Sequence, residues 1–196
     1  MRLVLDLRGI TSHSERRRLA VEADQHGVWG AVVTGPPGAE CVEAAAIATI
    51  TSNLTVFVDL DGDAAHPTTL AEEVAVLDQI SLRRTAVIFR GAATTKATVT
   101  ALLSGLPSSG VILSPPPAQA SVPVFAPKDM PEVHLEGDPR HSATIIDQYR
   151  DANTRFLIVS WDRPIKELAR HLVGRAMSTD FPQMIAELAD QIDPIE

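Results

Sequence analysis

The chain has 196 residues, 45% of them hydrophobic, enough for one domain with a core of its own. Its formal net charge of −8 and pI near 5.2 argue against a nucleic-acid binder, which needs clustered Lys and Arg to neutralise phosphates. No apolar run reaches the roughly 18 residues of a membrane span, the opening MRLVLDL reads as a strand and not as a signal peptide, and the single cysteine, Cys41, excludes an internal disulfide or a thiolate metal cluster, so a cytoplasmic protein is expected.

Arg2–Leu7 reads as the first strand, from its run of apolar and β-branched residues. Ser14 is placed to cap a helix running to about Gln25, with Leu19, Ala20 and Ala23 inward and Gly27 just past its end. The basic cluster Glu15–Arg18 is one turn of that helix and reads as a solvated face. GVWGAVVTG supplies a second strand, and Ala39–Asn53 an alanine-rich second helix. The stretch from Leu54 to Gly91 is the clearest: LTVFVDL is a buried strand, Pro67 suits a first helical turn, Leu70, Val74 and Leu77 form one apolar face, and TAVIFRG is a second buried strand. Strand, crossover helix and strand make a βαβ unit with parallel strands.

Past Gly91 the pattern weakens. ATTKATVTALLSG is a helix with Val99, Leu102 and Leu103 inward, and GVILS and VPVFAP are strand candidates, the latter a fifth barrel strand. Pro115–Pro127 reads as a loop across the barrel mouth, because proline removes ladder donors. KDMPEVHLEGDPR is mixed. Ser142–Asn153 is a helix, RFLIVSW the last strand, Ile165–Met177 the closing helix and Pro182–Ile192 a short final one. Unbroken β–α alternation means a parallel sheet, barrel or doubly wound. An eight-unit barrel usually takes about 250 residues. The expected fold is therefore α/β: one compact, incomplete (β/α)8 TIM-type barrel with parallel strands, spanning residues 1–196 as a single domain.

Three stretches carry a family resemblance: AVEADQHGVWGAVVTG, AAAIATITSNLTVFVDL and HPTTLAEEVAVLDQISLRR. Their key positions are Ala23, Asp24 and Gly27, then Ala48, Thr51 and Leu54, then Pro67, Ala71, Leu77, Asp78, Ser81 and Arg84. They resemble the first half of the bacterial luciferase-like flavin and deazaflavin monooxygenases, and SATIIDQYRDANTRFLIVSW is similar to that family's last helix and strand; together they cover about two-thirds of the chain. The resemblance implies a barrel binding reduced FMN or deazaflavin, supplied by a separate reductase, at the C-terminal ends of its strands. It also implies a homodimer, or a heterodimer with a paralogue, through the second and third helices; Ala39, Ala44, Ala45, Ala46 and Ala48 would leave the second helix smooth for that contact. Four features depart from the family. Arg83 stands where the family has a glycine, only Gly91 remains of the glycine-rich end of the fourth strand, GPPGAE lacks the usual histidine, and the second half is short.

In such a barrel, the loops after the strands share one rim, where ligands collect. The residues expected there are Arg8, Thr34, Asp61, His66, Arg90 and Trp161, with Thr34, Asp61, His66, Arg90 and Trp161 as the cofactor-binding set; no catalytic residue is named and no resident metal is expected. His66 reads either as a general base or ring contact, or as a helix-capping surface histidine. Asp59, Asp61 and Asp63 read either as cation ligands or, lacking an EF-hand pattern, as solvated acids. Arg90 reads either as an anion holder or as a partner of Asp61. Ser160 and Trp161 either line a pocket or pack in the core. Asp78 and Arg84 frame the turn at the opposite, stability face, and Cys41 is a small core residue. Two functions follow: a luciferase-like flavin-dependent oxidoreductase or monooxygenase acting on a small organic molecule, or a non-catalytic degenerate barrel serving as a partner subunit or flavin-binding protein.

Overall fold

A computed structural model describes residues 1–177 apart from Pro37, Ser109 and Gly137. The expected helix Pro182–Ile192 lies outside the described residues. In chain order the elements are β1 (Arg2–Asp6), α1 (His13–Gln25), β2 (Gly30–Val33), α2 (Glu40–Ala48), β3 (Thr55–Asp61), α3 (Pro67–Ile80), β4 (Thr85–Arg90), α4 (Ala93–Leu103), β5 (Val124–Phe125), β6 (Glu132–Leu135), α5 (Pro139–Asp151), β7 (Phe156–Trp161), α6 (Ile165–Leu168) and α7 (Gly174–Met177). A π-helical turn, Ala169–Val173, joins the last two, so the expected closing helix is interrupted once.

All seven strands are parallel, in the order β5-β4-β3-β2-β1-β7-β6. That is the cyclic order of a TIM-type barrel missing one strand, with β5 and β6 as its two edges. No helix separates those edges. The chain passes between them in a single 3-10 turn, Pro127–Asp129, and Met130 turns into the interior, fully buried. GVILS is not a strand: Val111 makes only an isolated bridge with Ser108. The mixed segment does contain one, β6, whose polar Glu132 and His134 alternate with Val133 and Leu135.

Strand alternation divides the apolar residues into two clusters. Leu3, Leu5, Ala31, Val33, Val56, Val58, Val87, Phe89, Leu157 and Val159 face outward onto the helices. Val4, Val32, Phe57, Ala86, Ile88, Phe156 and Ile158 face inward, with Trp29 and Phe125 against them. Gly30 belongs to the inward set and must be small: a Cβ there would lie 2.9 Å from Thr55 O and 3.0 Å from the Phe57 ring.

The residues behind the family resemblance tie up helix ends. Asp24 accepts the backbone N–H groups of Ser52, Asn53 and Leu54 at 2.7, 2.9 and 2.8 Å, fixing the turn into β3. Arg84 donates to the carbonyls of Ala48, Thr51 and Leu54 at 2.9, 3.0 and 2.8 Å, satisfying the last turn of α2 and the chain beyond it. Asp78 accepts from the backbone and side chain of Gln119, both at 2.7 Å, so the proline-rich loop is anchored where the strands begin. Ser12, not Ser14, caps α1, accepting from Glu15 N.

Candidate functional site

The inward-facing positions nearest the C-terminal ends of the strands are Asp6 on β1, Thr34 after β2, Asp59 and Asp61 on β3, Arg90 on β4, His134 on β6 and Ser160 on β7, with Glu132, the first residue of β6, facing in one layer below them. Arg8 reaches in from the turn after β1. Its Nε and Nη2 chelate Asp6 at 2.9 Å each, Nη1 meets Asp59 Oδ2 at 3.0 Å and Nη2 meets Glu132 at 2.8 Å. β3 and β6 lie two strands from β1 on opposite sides, so one guanidinium bridges the inside of the curve. Arg90 Nε meets the other oxygen of Asp59 at 2.8 Å, and Ser160 Oγ donates to Asp6 at 3.4 Å.

Within this network Arg8 and its carboxylates satisfy one another. Burial pushes the Asp6 carboxyl up, but hydrogen bonds from Arg8 outweigh it and hold Asp6 below the usual range. Arg8 is held more firmly charged than a free arginine, by its bonds to Asp6 first and then Asp59 and Glu132. Asp59 is buried, with both oxygens used.

The expected site residues divide. Arg8, Asp59 and Arg90 come together; Arg90 takes Asp59 and not Asp61 as its partner. Thr34 Oγ1 points toward the Gly35 and Asp59 carbonyls at 3.4 and 3.5 Å. Asp61 accepts from Asp63 N at 3.0 Å, closing its own turn. His66 is the exposed N-cap of α3, its Nδ1 accepting from Thr68 N at 3.3 Å. Trp161 packs outward against the helix layer, its Nε1 donating to Pro164 O at 3.2 Å, while its neighbour Ser160 faces in. Among the described residues, no group of three His, Cys, Asp or Glu side chains is arranged to hold a metal. Cys41 is buried, and desolvation first, then Glu73 and Glu40, push its thiol up to about 12. Sequence reasoning missed Asp6, Glu132 and the bridging role of Arg8; the alternation in EVHL was the available signal for Glu132.

No protein-family model and no curated protein sequence matches the chain. Solved structures do. A monooxygenase from Streptomyces bottropensis aligns over 95% of this chain and 83% of its own, with 18% identity and a TM-score of 0.56. The chain has the luciferase-like monooxygenase fold. A coenzyme F420-dependent tetrahydromethanopterin reductase from Methanopyrus kandleri aligns over 81% of this chain at 13% identity and a TM-score of 0.54. The oxygenating constituent of 3,6-diketocamphane monooxygenase from Pseudomonas putida, a type II Baeyer–Villiger enzyme solved with FMN, aligns over 93% at 12% identity and 0.54. The chain spans 55% and 63% of the lengths of those last two proteins.

The luciferase-like fold implies a flavin or deazaflavin at the rim, and the residues present do not fit one along the barrel axis. Arg8 and its three carboxylate partners occupy the inside of the curve, and the five charged groups of the network carry three negative charges against two positive. An anionic cofactor phosphate and a large planar ring would have to displace bonded, part-buried ion pairs. Nor is there a roomy glycine turn between β3 and β4. A Cβ on Gly62 would lie 2.4 Å from the outward-facing Phe89 ring and 2.8 Å from Arg90 O, so that turn is packed closely against β4. Among the described residues, no helix is long and apolar enough to cross a membrane.

Proposed function

We propose that this chain is a non-catalytic luciferase-like barrel that works as a partner subunit, in a cytoplasmic setting, associating with a second copy or a paralogue through α2 and α3. The observation that carries this reading is the Arg8 bridge, which fills the rim interior with the protein's own ion pairs. The association surface rests on a second feature. Ala44 and Ala48 turn inward, and the outer face of α2 and α3 exposes Val42, Val76 and Ile80 along a groove of about 340 Å3 that Cys41, Ala45 and Leu77 also line. Apolar side chains gathered on adjoining helices suit an isologous contact, in which the same patch is used twice.

Light scattering and an absorbance spectrum of the purified protein test the reading together. The expected results are a dimer mass, conversion to monomer by Val76→Glu, and no flavin or deazaflavin band. A monomeric wild type, or saturable binding of FMN or F420, removes it.

A second reading, a flavin- or deazaflavin-dependent oxidoreductase acting on a small organic substrate, is favoured by Arg90. Its side chain is 53% exposed and bonds Asp59 through Nε alone, leaving the terminal nitrogens open to an anion at the outer rim. On that reading Arg90→Ala weakens FMN binding by about 1.5–3 kcal/mol, the range for hydrogen bonds to charged groups. Titration calorimetry that finds equal affinity for the variant and wild type excludes Arg90 from any flavin site.

A further inference from the structure

The opposite end of the barrel interior, where the strands begin, opens into a cavity of about 460 Å3. Its floor is aromatic. Trp29 and Phe156 stack with ring centroids 4.9 Å apart and 24° between planes, and Phe125 meets Phe156 edge-on at 5.3 Å. Its walls carry four of the chain's 17 basic residues, Arg2, Arg83, Arg84 and Arg155, and no acidic residue lines it.

Arg84 is committed to the carbonyls around the end of α2. The other three are not. Among the described residues, Arg2, Arg83 and Arg155 have no carboxylate partner, and Arg2 and Arg155 lie over aromatic rings. The Arg2 guanidinium lies 4.7 Å from the Trp29 centroid and that of Arg155 lies 5.0 Å from Phe156. Each cation therefore sits over one ring of the stacked pair with N–H donors to spare. Arg83 adds a third charge from a backbone with φ of 71°, where glycine is favoured and an L-residue costs about 1 kcal/mol or more.

We propose that this N-terminal mouth binds a planar aromatic anion, a ring bearing a phosphate or carboxylate, with the ring against the half-buried Trp29 and Phe125 and the anion between Arg2, Arg83 and Arg155. The half-buried aromatic edges supply apolar contact and the arginines supply bidentate donors. The site lies about 13 Å along β3 from the Arg8 network, because Thr55 in its lining and Asp59 in the network are four residues apart on one strand, and it does not depend on how the rim is read.

Trp29 reports on the site directly. In a Trp161→Phe background it is the sole tryptophan, and fluorescence excited at its red edge can be followed while AMP, adenosine or inorganic phosphate is added. AMP should produce a saturable change, with adenosine and phosphate each at least about tenfold weaker, because each lacks half of the recognition. 2-Naphthoate, followed by calorimetry, should bind like AMP. Arg155→Gln and Arg2→Gln should each weaken both probes about tenfold, Arg155→Lys should weaken them less, and Arg90→Gln at the other end should leave them unchanged. Both arginines are exposed, so the variants should fold, and their circular dichroism spectra should match the wild type. Absence of binding by both AMP and 2-naphthoate at millimolar concentration overturns the proposal. So does equal binding of adenosine and AMP, or indifference to both Gln variants.

Discussion

The same seven strands end in two different electrostatic environments. At the C-terminal rim, Arg8 and Arg90 are both paired within hydrogen-bond distance with carboxylates of Asp6, Asp59 and Glu132. At the N-terminal mouth, Arg2, Arg83 and Arg155 face aromatic rings, with no acidic residue in the lining. Charges already satisfied hold the fold together and leave little for a ligand. Charges left open contribute little to folding and retain their capacity to bind.

The largest expected effect sharpens that contrast. Arg8→Met leaves three carboxylates converging without their cation and should destabilise the protein by about 3 kcal/mol, as removal of one partner from a buried ion pair does. Arg155→Gln, at the other mouth, should stay within about 0.5 kcal/mol of wild type. Urea denaturation of both variants measures the difference; equal losses would break the distinction between the two ends.

A smaller effect separates the arginines of the mouth from one another. Arg84→Gln should cost about 2 kcal/mol, because the carbonyls of Ala48, Thr51 and Leu54 lose a charged donor. Arg2→Gln should cost far less. The same denaturation series reads both, and a neutral Arg84→Gln would mean that this arginine too is free for a ligand.

The smallest effect is a slope. Asp6 is depressed in the folded state, so its contribution is fully present above its unfolded value near pH 4 and is lost as pH falls through the lower folded value. Asp6→Asn should therefore be less stable than wild type at pH 7, and the gap should narrow below pH 4. Stability measured at several pH values checks this; a gap that stays constant with pH would uncouple Asp6 from the network.

Two substitutions at the rim and three at the mouth would thus show which charges belong to the fold. The residues that carried the family resemblance already illustrate the point. Asp24, Asp78, Ser81 and Arg84 were legible because short helix–strand turns impose local hydrogen-bond demands at fixed spacing. They serve those turns, and Ser81 Oγ lies 2.8 Å from the buried Thr85 hydroxyl for the same reason.

From the sequence alone came the α/β class, the parallel strands, the incomplete barrel, and β1, β3, β4 and β7 to within a residue or so at each end. Hydrophobic alternation and helix-end chemistry are local, so one chain segment is enough to read them. β6 and the single-turn passage between β5 and β6 were harder, because a four-residue strand with two polar inward side chains has too little apolar pattern. Only tertiary structure decided the sites. Asp6 and Asp59 are 53 positions apart, and Glu132 lies further still, yet strand order places all three around Arg8. Tertiary structure also set Ser160 inward and Trp161 outward, and brought Arg2 and Arg155 to one aromatic floor from opposite ends of the described chain. Curvature of the sheet makes these groups neighbours, and curvature depends on how all the strands pack at once.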